Sequence, residues 1–394
     1  MIAHYNNGLR VLCVSVLVAI FTACAGKDDT DSNVSNKSLV TLSPVGSETK
    51  SKTGAFVINP KFDFAKSFAD GLAVVRIGDE KTGKWGYINK QGELVINPQF
   101  SDAEDFSDGL ARVRIGDDKT GRWGFIDKQG RMTINPQFVF ARDFKGGLAA
   151  VLLGDYKSGK WGYIDKQGVM VISSQFSRAY DFSDGLAAVE LAENKTNKTE
   201  FIDKQGKVVI NLQFGALDFA EEMSAVHAGN VEASKWGFID KQGQMVINPQ
   251  FDDTRSKFSD GIAAVRIGDA FTGKWGFIDR QGTMVINPQF NDADNFADGL
   301  AAVQTGAIKD SVWGFIDKNG KMVVNPQFEY VRPFNDGLAA VHVGDYKTGK
   351  WGFIDKQGKM VINPQFDSAS KFVNGLAAVR IGDNITGKWG YISR

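Results

Sequence analysis

Hydrophobic and polar positions along this chain fall into short apolar segments separated by breaks rich in glycine, aspartate and asparagine. Residues 351 to 388 read "WGFIDKQGKMVINPQFDSASKFVNGLAAVRIGDNITGK". Within them WGFI, KMVIN and LAAVRI are rich in β-branched and aromatic side chains, which predicts three strands. DKQG predicts a tight turn in which Asp355 accepts local backbone hydrogen bonds and Gly358 takes a positive φ. Pro364 lacks the amide donor of a ladder and is expected to end the second strand. QFDSASKFVNG predicts an irregular connection whose two phenylalanines pin it to the core. In LAAVRI, alternation puts Leu376 and Ala378 on one face and Ala377, Val379 and Ile381 on the other. Both faces are apolar, so each sheet is expected to be sandwiched between neighbours.

The same pattern recurs along the chain. Trp followed by Gly stands at Trp85, Trp123, Trp161, Trp236, Trp275, Trp313, Trp351 and Trp389. The steps are 38, 38, 75, 39, 38, 38 and 38 residues, and the long step hides a ninth, degraded copy with Thr199-Glu200 in place of Trp-Gly. A period of this length marks a repeat architecture. The fold class expected is all-β: nine three-stranded units of about 38 residues, the fifth degenerate. A three-stranded sheet alone is marginal in water, so the eight tryptophans are read as structural positions that pack unit against unit. The array opens with a lone FVINPKF at Phe56 and closes on a lone KWGYISR, so each strand type occurs nine times. The segment at Phe56 is therefore expected to complete the last unit. That favours a propeller-like closed ring over an open β-solenoid or superhelix, although nine units exceed the usual range of roughly four to eight.

At "GKWGYIDKQG", "VINPQF" and "FSDGLAAV" the sequence resembles the WG-repeat, or KWG-repeat, family of bacterial envelope and secreted proteins. The resemblance implies a β-repeat fold and a role in interaction or scaffolding. It implies no catalytic motif.

The N-terminus has a different character. Residues 1 to 10 are polar and weakly positive, and Val11 to Ala23 form an apolar run too short to span a bilayer, which takes about 20 residues. That layout matches a secretory signal. "FTAC", Phe21 to Cys24, resembles the lipobox of bacterial lipoproteins, with Phe where Leu is usual. The expected organisation is a signal peptide over 1–23, a lipidated Cys24 and flexible tether over 24–52, and the repeat domain over 53–394. The other cysteine, Cys13, leaves with the signal, so no internal disulfide is expected. By resemblance to lipoprotein sorting rules, the absence of Asp after Cys24 points to the outer membrane, periplasm-facing or surface-exposed.

Composition excludes some partners and adds none. Lys+Arg and Asp+Glu are both 46, which gives no reason to expect nucleic acid. The spacing GxxxxGK at Gly78, Gly154, Gly268, Gly344 and Gly382, with Arg122 for Lys at Gly116, imitates a phosphate-binding loop. A true one continues with Ser or Thr and a helix; here Trp and a strand follow, so the stretch reads as a hairpin loop and no nucleotide is expected. Aspartates recur in "GD", "DG" and "IDK" or "IDR". The nearest approach to a calcium loop, "NDADNFADG" at Asn291 to Gly299, lacks the ligand order and closing Glu. Their expected role is in turns. His227 and His342 lie in different units, which argues against zinc. No cofactor, metal or catalytic residue is expected.

The breaks in the repeat are the remaining candidates: Ser173-Ser174 for Asn-Pro, Thr199-Glu200, Leu212 for Pro, Glu222-Met223 for Gly-Leu, and "GAIKDSVW" at Gly306 to Trp313. They read as drift, or as an edge freed for a partner. The function expected is a lipid-anchored, non-catalytic binding or scaffold platform whose partner is a protein or cell-wall component. The alternatives are an enzyme acting on envelope polysaccharide and a structural or adhesive spacer.

Overall fold

In a computed structural model the chain is described over residues 53–394, except 118, 192–197, 229–234, 256 and 308–309. The signal, Cys24 and the tether lie outside the described residues, as does part of the Gly306–Trp313 loop. The described residues form strands and turns, with no helix among them.

The repeating sheet has four antiparallel strands, one more than the sequence pattern predicted. Sheet 6, counting along the chain, consists of Asp253–Thr254, Ala263–Ile267, Lys274–Ile278 and Met284–Phe290 in that order. The extra strand is the two-residue pairing that opens the sheet, inside the segment read as an irregular connection. It escaped the pattern because two residues carry no periodicity. Sheets 3 and 4 share one long strand, Met170–Ala179, and so run together as seven strands. The last sheet takes its fourth strand from the start of the domain: Phe56–Phe62 pairs antiparallel with Lys388–Ser393, Ile58 opposite Tyr391 and Phe62 opposite Trp389.

Pro364 does not end its strand. The fourth strand runs on from Met360 to Phe366, and the proline sits in a bulge. Phe353 pairs with Ile362 and Trp351 with Phe366, so Asn363, Pro364 and Gln365 together face Gly352 alone. A bulge is one of the few places a sheet tolerates proline. It also explains the glycine after each tryptophan. A Cβ at Gly86, Gly124, Gly162, Gly237, Gly276, Gly314, Gly352 or Gly390 would lie 2.4 to 2.6 Å from a carbonyl oxygen of the bulged strand. The backbone fills the space a side chain would need.

The cores lie between sheets. Leu376 and Ala378 join one hydrophobic cluster and Ala377 and Val379 another, as the alternation required. Each sheet shares a cluster with the next, and a ninth cluster packs Ile58, Phe62 and Tyr391 of sheet 9 against Ala65, Phe68 and Ile88 of sheet 1.

Tryptophan is not the most buried aromatic. Trp123 and Trp275 are 5% exposed, and the other six are half-buried against the clusters. Full burial belongs to the aromatic two residues later. It meets the phenylalanine of the next sheet's DFSDG-type turn, as in Tyr87–Phe106, Phe125–Phe144 and Phe277–Phe296. All nine such pairs have ring centroids 4.7 to 5.1 Å apart, including Phe201–Phe219 in the degraded unit and Tyr391–Phe68 between sheets 9 and 1. An edge-to-face pair adds about 0.5–1.5 kcal/mol beyond area burial. This staple survives where Trp and Gly are lost.

Candidate functional site

Antiparallel connectivity sorts the loops into two ends. The hairpins between second and third strands, the "GDxxTGK" loops, lie at one end. The DFSDG-type and DKQG-type turns lie at the other.

The second end is used by the fold. In each DKQG turn the aspartate accepts amides two and four residues on, as Asp355 does from Gln357 (3.0 Å) and Lys359 (2.9 Å), and Gly358 has φ +80°. The "DG" aspartates adopt φ near +50° and reach into the following sheet. Asp70 accepts from Gly109 N–H (3.0 Å), Asp108 from Gly147 (2.8 Å), Asp298 from Gly337 (2.8 Å) and Asp336 from Gly375 (2.8 Å). In the degraded unit Glu221 takes over, accepting from Gly261 at 2.9 Å, and Glu222 holds the glycine position at φ +67°. A non-glycine residue there is strained by about 1 kcal/mol or more.

The loop end also has a rigid base. Asp79 accepts the amides of Lys81 and Thr82, both at 2.8 Å, and the Thr82 hydroxyl at 2.6 Å. Asp117, Asp155, Asp269, Asp345 and Asp383 repeat the arrangement. These hydrogen bonds hold Asp79, Asp269 and Asp383 at a pKa of about 2, with the Thr hydroxyl first among causes for Asp79 and Asp269 and the Thr386 amide for Asp383. A phosphate would need the same amides, so GxxxxGK here is a self-satisfied turn. In three loops the lysine before Trp is engaged too: Lys388 pairs with Asp63 and Lys235 with Asp252, both at 2.5 Å, and Lys350 pairs with Asp367. Asp63, Asp252 and Asp367 also accept the amide of the first glycine in the following sheet's loop, Gly78, Gly268 and Gly382.

What differs between loops is the tip. Tyr156 is 74% exposed, Phe271 88%, Tyr346 65% and Ile385 91%, on loops of sheets 3, 6, 8 and 9. The sequence reading passed over them because they vary while the loop frame recurs. Beside Ile385, an open cleft of about 1380 Å³ runs between the loops of sheets 1, 2 and 9, lined also by Arg76, Asp79, Lys81, Trp85 and Arg114 among others. Of its carboxylates, Asp63, Asp79 and Asp117 are lowered; Asp102 is raised, chiefly by burial.

The indoles face cations of the same chain. Arg112 lies 4.9 Å from Trp123, Arg142 5.6 Å from Trp161, Arg255 4.6 Å from Trp275 and Arg332 5.3 Å from Trp351. The same guanidiniums donate to the strand that opens the next sheet, at Ala141, Ala179, Ala293 and Ala369 O (2.6 to 3.0 Å). His227 and His342 stand beside Trp236 and Trp351. No group of three or more His, Cys, Asp or Glu among the described residues could hold a metal ion.

Beside these first strands runs a second polar row, Asp105, Asp143, Asp181 and Asp218 of sheets 2 to 5. Burial, its largest cause, pushes Asp105 up to about 6, and Asp105 Oδ1 is buried without a hydrogen-bond partner. The folded-state value lies above the ordinary 3.8, so the native state keeps its proton longer than the unfolded chain. Stability from this group is therefore full below about pH 4, falls as pH rises toward 6, and is level beyond. Asp105→Asn should raise stability near neutral pH by about 1–2 kcal/mol, after discounting for partial exposure, and flatten that decline. Urea melts from pH 4 to 8 check it; an unchanged slope would rule it out.

A family model described as "WG containing repeat" matches residues 51–80, 85–118, 123–156, 161–195, 201–230, 236–269, 275–307, 313–346 and 351–389. No curated protein sequence matches the chain. Among solved structures, the chain resembles the tricorn protease at 13% identity and TM-score 0.32, covering 79% of this chain and 40% of that one. It resembles the β-propeller domain of the Trilobed protease from Pyrococcus furiosus at 10% identity and TM-score 0.38, covering 67% and 98%. A study of two prolyl endopeptidases supplies a third likeness, at 11% and 0.43, covering 76% and 53%. This chain thus spans about two fifths of the tricorn protease structure.

Proposed function

The chain belongs to the WG-repeat family, and from that premise we propose that it is a non-catalytic binding platform of the cell envelope, carried on a lipidated Cys24. Its nine sheets form a closed propeller-like ring. Pairing of Phe56–Phe62 with Lys388–Ser393 and the aromatic pair Tyr391–Phe68 support closure. The observation that carries the binding role is the division of labour in the GDxxTGK loops. Their recurring residues are bonded to one another, while Tyr156, Phe271, Tyr346 and Ile385 stand exposed on that fixed frame. Large exposed apolar side chains on a rigid base are the ordinary form of a contact surface. Gly54 N–H donates to Ser393 O at 2.8 Å, so the first described residues lie at the end opposite the tips. The tips are then clear of that end and present themselves to a protein or wall component.

The test is crosslinking and mass spectrometry in intact cells. Wild type should crosslink through Lys157 and Lys347 of the loop tips. The variant Tyr156→Ser/Phe271→Ser/Tyr346→Ser/Ile385→Ser should lose those partners with its melting temperature unchanged. Retention of the same partners would overturn the reading. New reducing ends on incubation with wall polysaccharide would replace it with an enzyme.

A further inference from the structure

Two cations recur at the loop end, an arginine near the end of the second strand and the lysine before Trp, and in several sheets each has a carboxylate. Arg266 faces Asp253 across the ladder, pairs with it at 3.3 Å and donates to Gly268 O at 3.0 Å. Lys235, Lys350 and Lys388 pair with Asp252, Asp367 and Asp63. Sheet 1 keeps both cations and neither carboxylate. Phe64 stands opposite Arg76, and Ser101 stands where the next sheet would offer Lys84 its acid, the hydroxyl donating to Arg114 O at 2.9 Å instead. Among the described residues it is the one sheet in which both partners are lost. The Arg76 guanidinium lies 5.9 Å from the Phe64 ring and 5.5 Å from Trp85, and its Nε is buried without a hydrogen-bond partner. A guanidinium drawn partly out of water with no counter-charge is costly to keep.

We infer that the cleft over sheet 1 takes an acidic segment of a partner protein, whose carboxylates meet Arg76 and Lys84. Both cations line that cleft. The carboxylates on its walls are committed elsewhere. Asp63 is held by Lys388 and Gly78 N–H, and Asp79 and Asp117 close their own turns. Asp102 accepts from Ala103 N–H at 2.9 Å and stands opposite Arg114. Glu80 and Lys81, adjacent at the tip, offset one another, which leaves Arg76 and Lys84 as the unbalanced charge. The planar guanidinium fork matches a carboxylate, and its stacking on two rings fixes it before anything binds. Ile115 and Ile385, 48% and 91% exposed, stand on the same cleft and offer contacts to apolar side chains flanking an acidic residue. An acidic glycan has no such side chains, and its rings would need a free aromatic face. Trp85, the one aromatic residue lining the cleft, has Phe64 edge-on at 5.5 Å and Arg76 over it. The inference rests on the platform reading, because the cleft lies among the loops that carry the tips, and it names the chemistry of the partner there.

Fluorescence anisotropy tests it, with the full chain in detergent and a labelled peptide of alternating leucine and glutamate as the probe. Wild type should bind this peptide about tenfold or more tightly than the same peptide with glutamine for glutamate, and binding should weaken as salt is raised. Arg76→Gln and Lys84→Gln should each lower the affinity about tenfold, while Lys274→Gln, at the matching position of sheet 6, should leave it unchanged. Ser101→Asp, which gives Lys84 the carboxylate that other sheets supply, should lower the affinity as Lys84→Gln does, with a melting temperature no lower than that of wild type. Equal binding of the two peptides, or wild-type affinity in both Lys84→Gln and Ser101→Asp, would overturn the inference and leave the platform to its own crosslinking test. Tighter binding of polygalacturonate than of the peptide, with the same dependence on Lys84, would give the cleft to an acidic glycan and overturn it too.

Discussion

Gly276→Ala should destabilise the protein by about 3 kcal/mol or more, although it adds a single methyl group to a strand. The new Cβ would stand 2.5 Å from Ile286 O and 2.7 Å from Pro288 N, both backbone atoms. No rotamer change can relieve such a clash, because the obstacle is the bulge itself. The bulge must flatten, which pulls Pro288 into a ladder position where it cannot donate. Sheet 4 indicates how the conflict can be resolved. There Glu200 is accompanied by Leu212, whose N–H donates to Thr199 O at 3.1 Å, a bond proline could not make. Gly276→Ala combined with Pro288→Leu should therefore recover part of the loss. Equal destabilisation of the single and double variants in urea melts would show that the bulge is not the cause.

Much of the fold was legible because it depends on periodicity. The 38-residue step, the alternation in LAAVRI and the turn chemistry of DKQG each report local geometry, and the contacts follow them. The pairing of the segment at Phe56 with the last sheet was legible too, from counting strand types. The fourth strand was not, since a pairing of two residues leaves no pattern. Nor was the passage of the strand through Pro364, because proline's usual meaning in a strand is reversed when a bulge takes up its missing donor. Residues of the turns and loops were harder still. The recurring aspartates could be read as turn formers from sequence, but their acceptance of amides from the next sheet needs coordinates. Tyr156, Phe271, Tyr346 and Ile385 drew no notice because a repeat directs attention to what is constant. A search for apolar residues at the variable positions of polar loops would have found them.

The aromatic two residues after tryptophan should matter more to stability than tryptophan itself. Phe277→Ala should cost about 3–5 kcal/mol and Trp236→Ala about half as much, because the first empties a fully buried site between two sheets and the second uncovers a half-buried one. Phe277 is 0% exposed and stands 5.1 Å from Phe296, so its loss leaves a cavity on both sides of the interface. Trp236 lies half-buried at the margin of its cluster with His227 at 4.7 Å, so an alanine there empties less buried space. The degraded unit has already carried out the comparison: it dispensed with Trp at 199 and kept the Phe201–Phe219 pair. The same argument applies where the first sheet meets the last. Phe68→Ala breaks the pair with Tyr391 at 5.0 Å and should open the contact that holds Phe56–Phe62 in place. Amide exchange in Phe56–Phe62 should then quicken relative to Met284–Phe290, a strand of the same kind farther along the chain. Uniform acceleration in both strands would mean that the staple stabilises the array as a whole and not the junction between its ends.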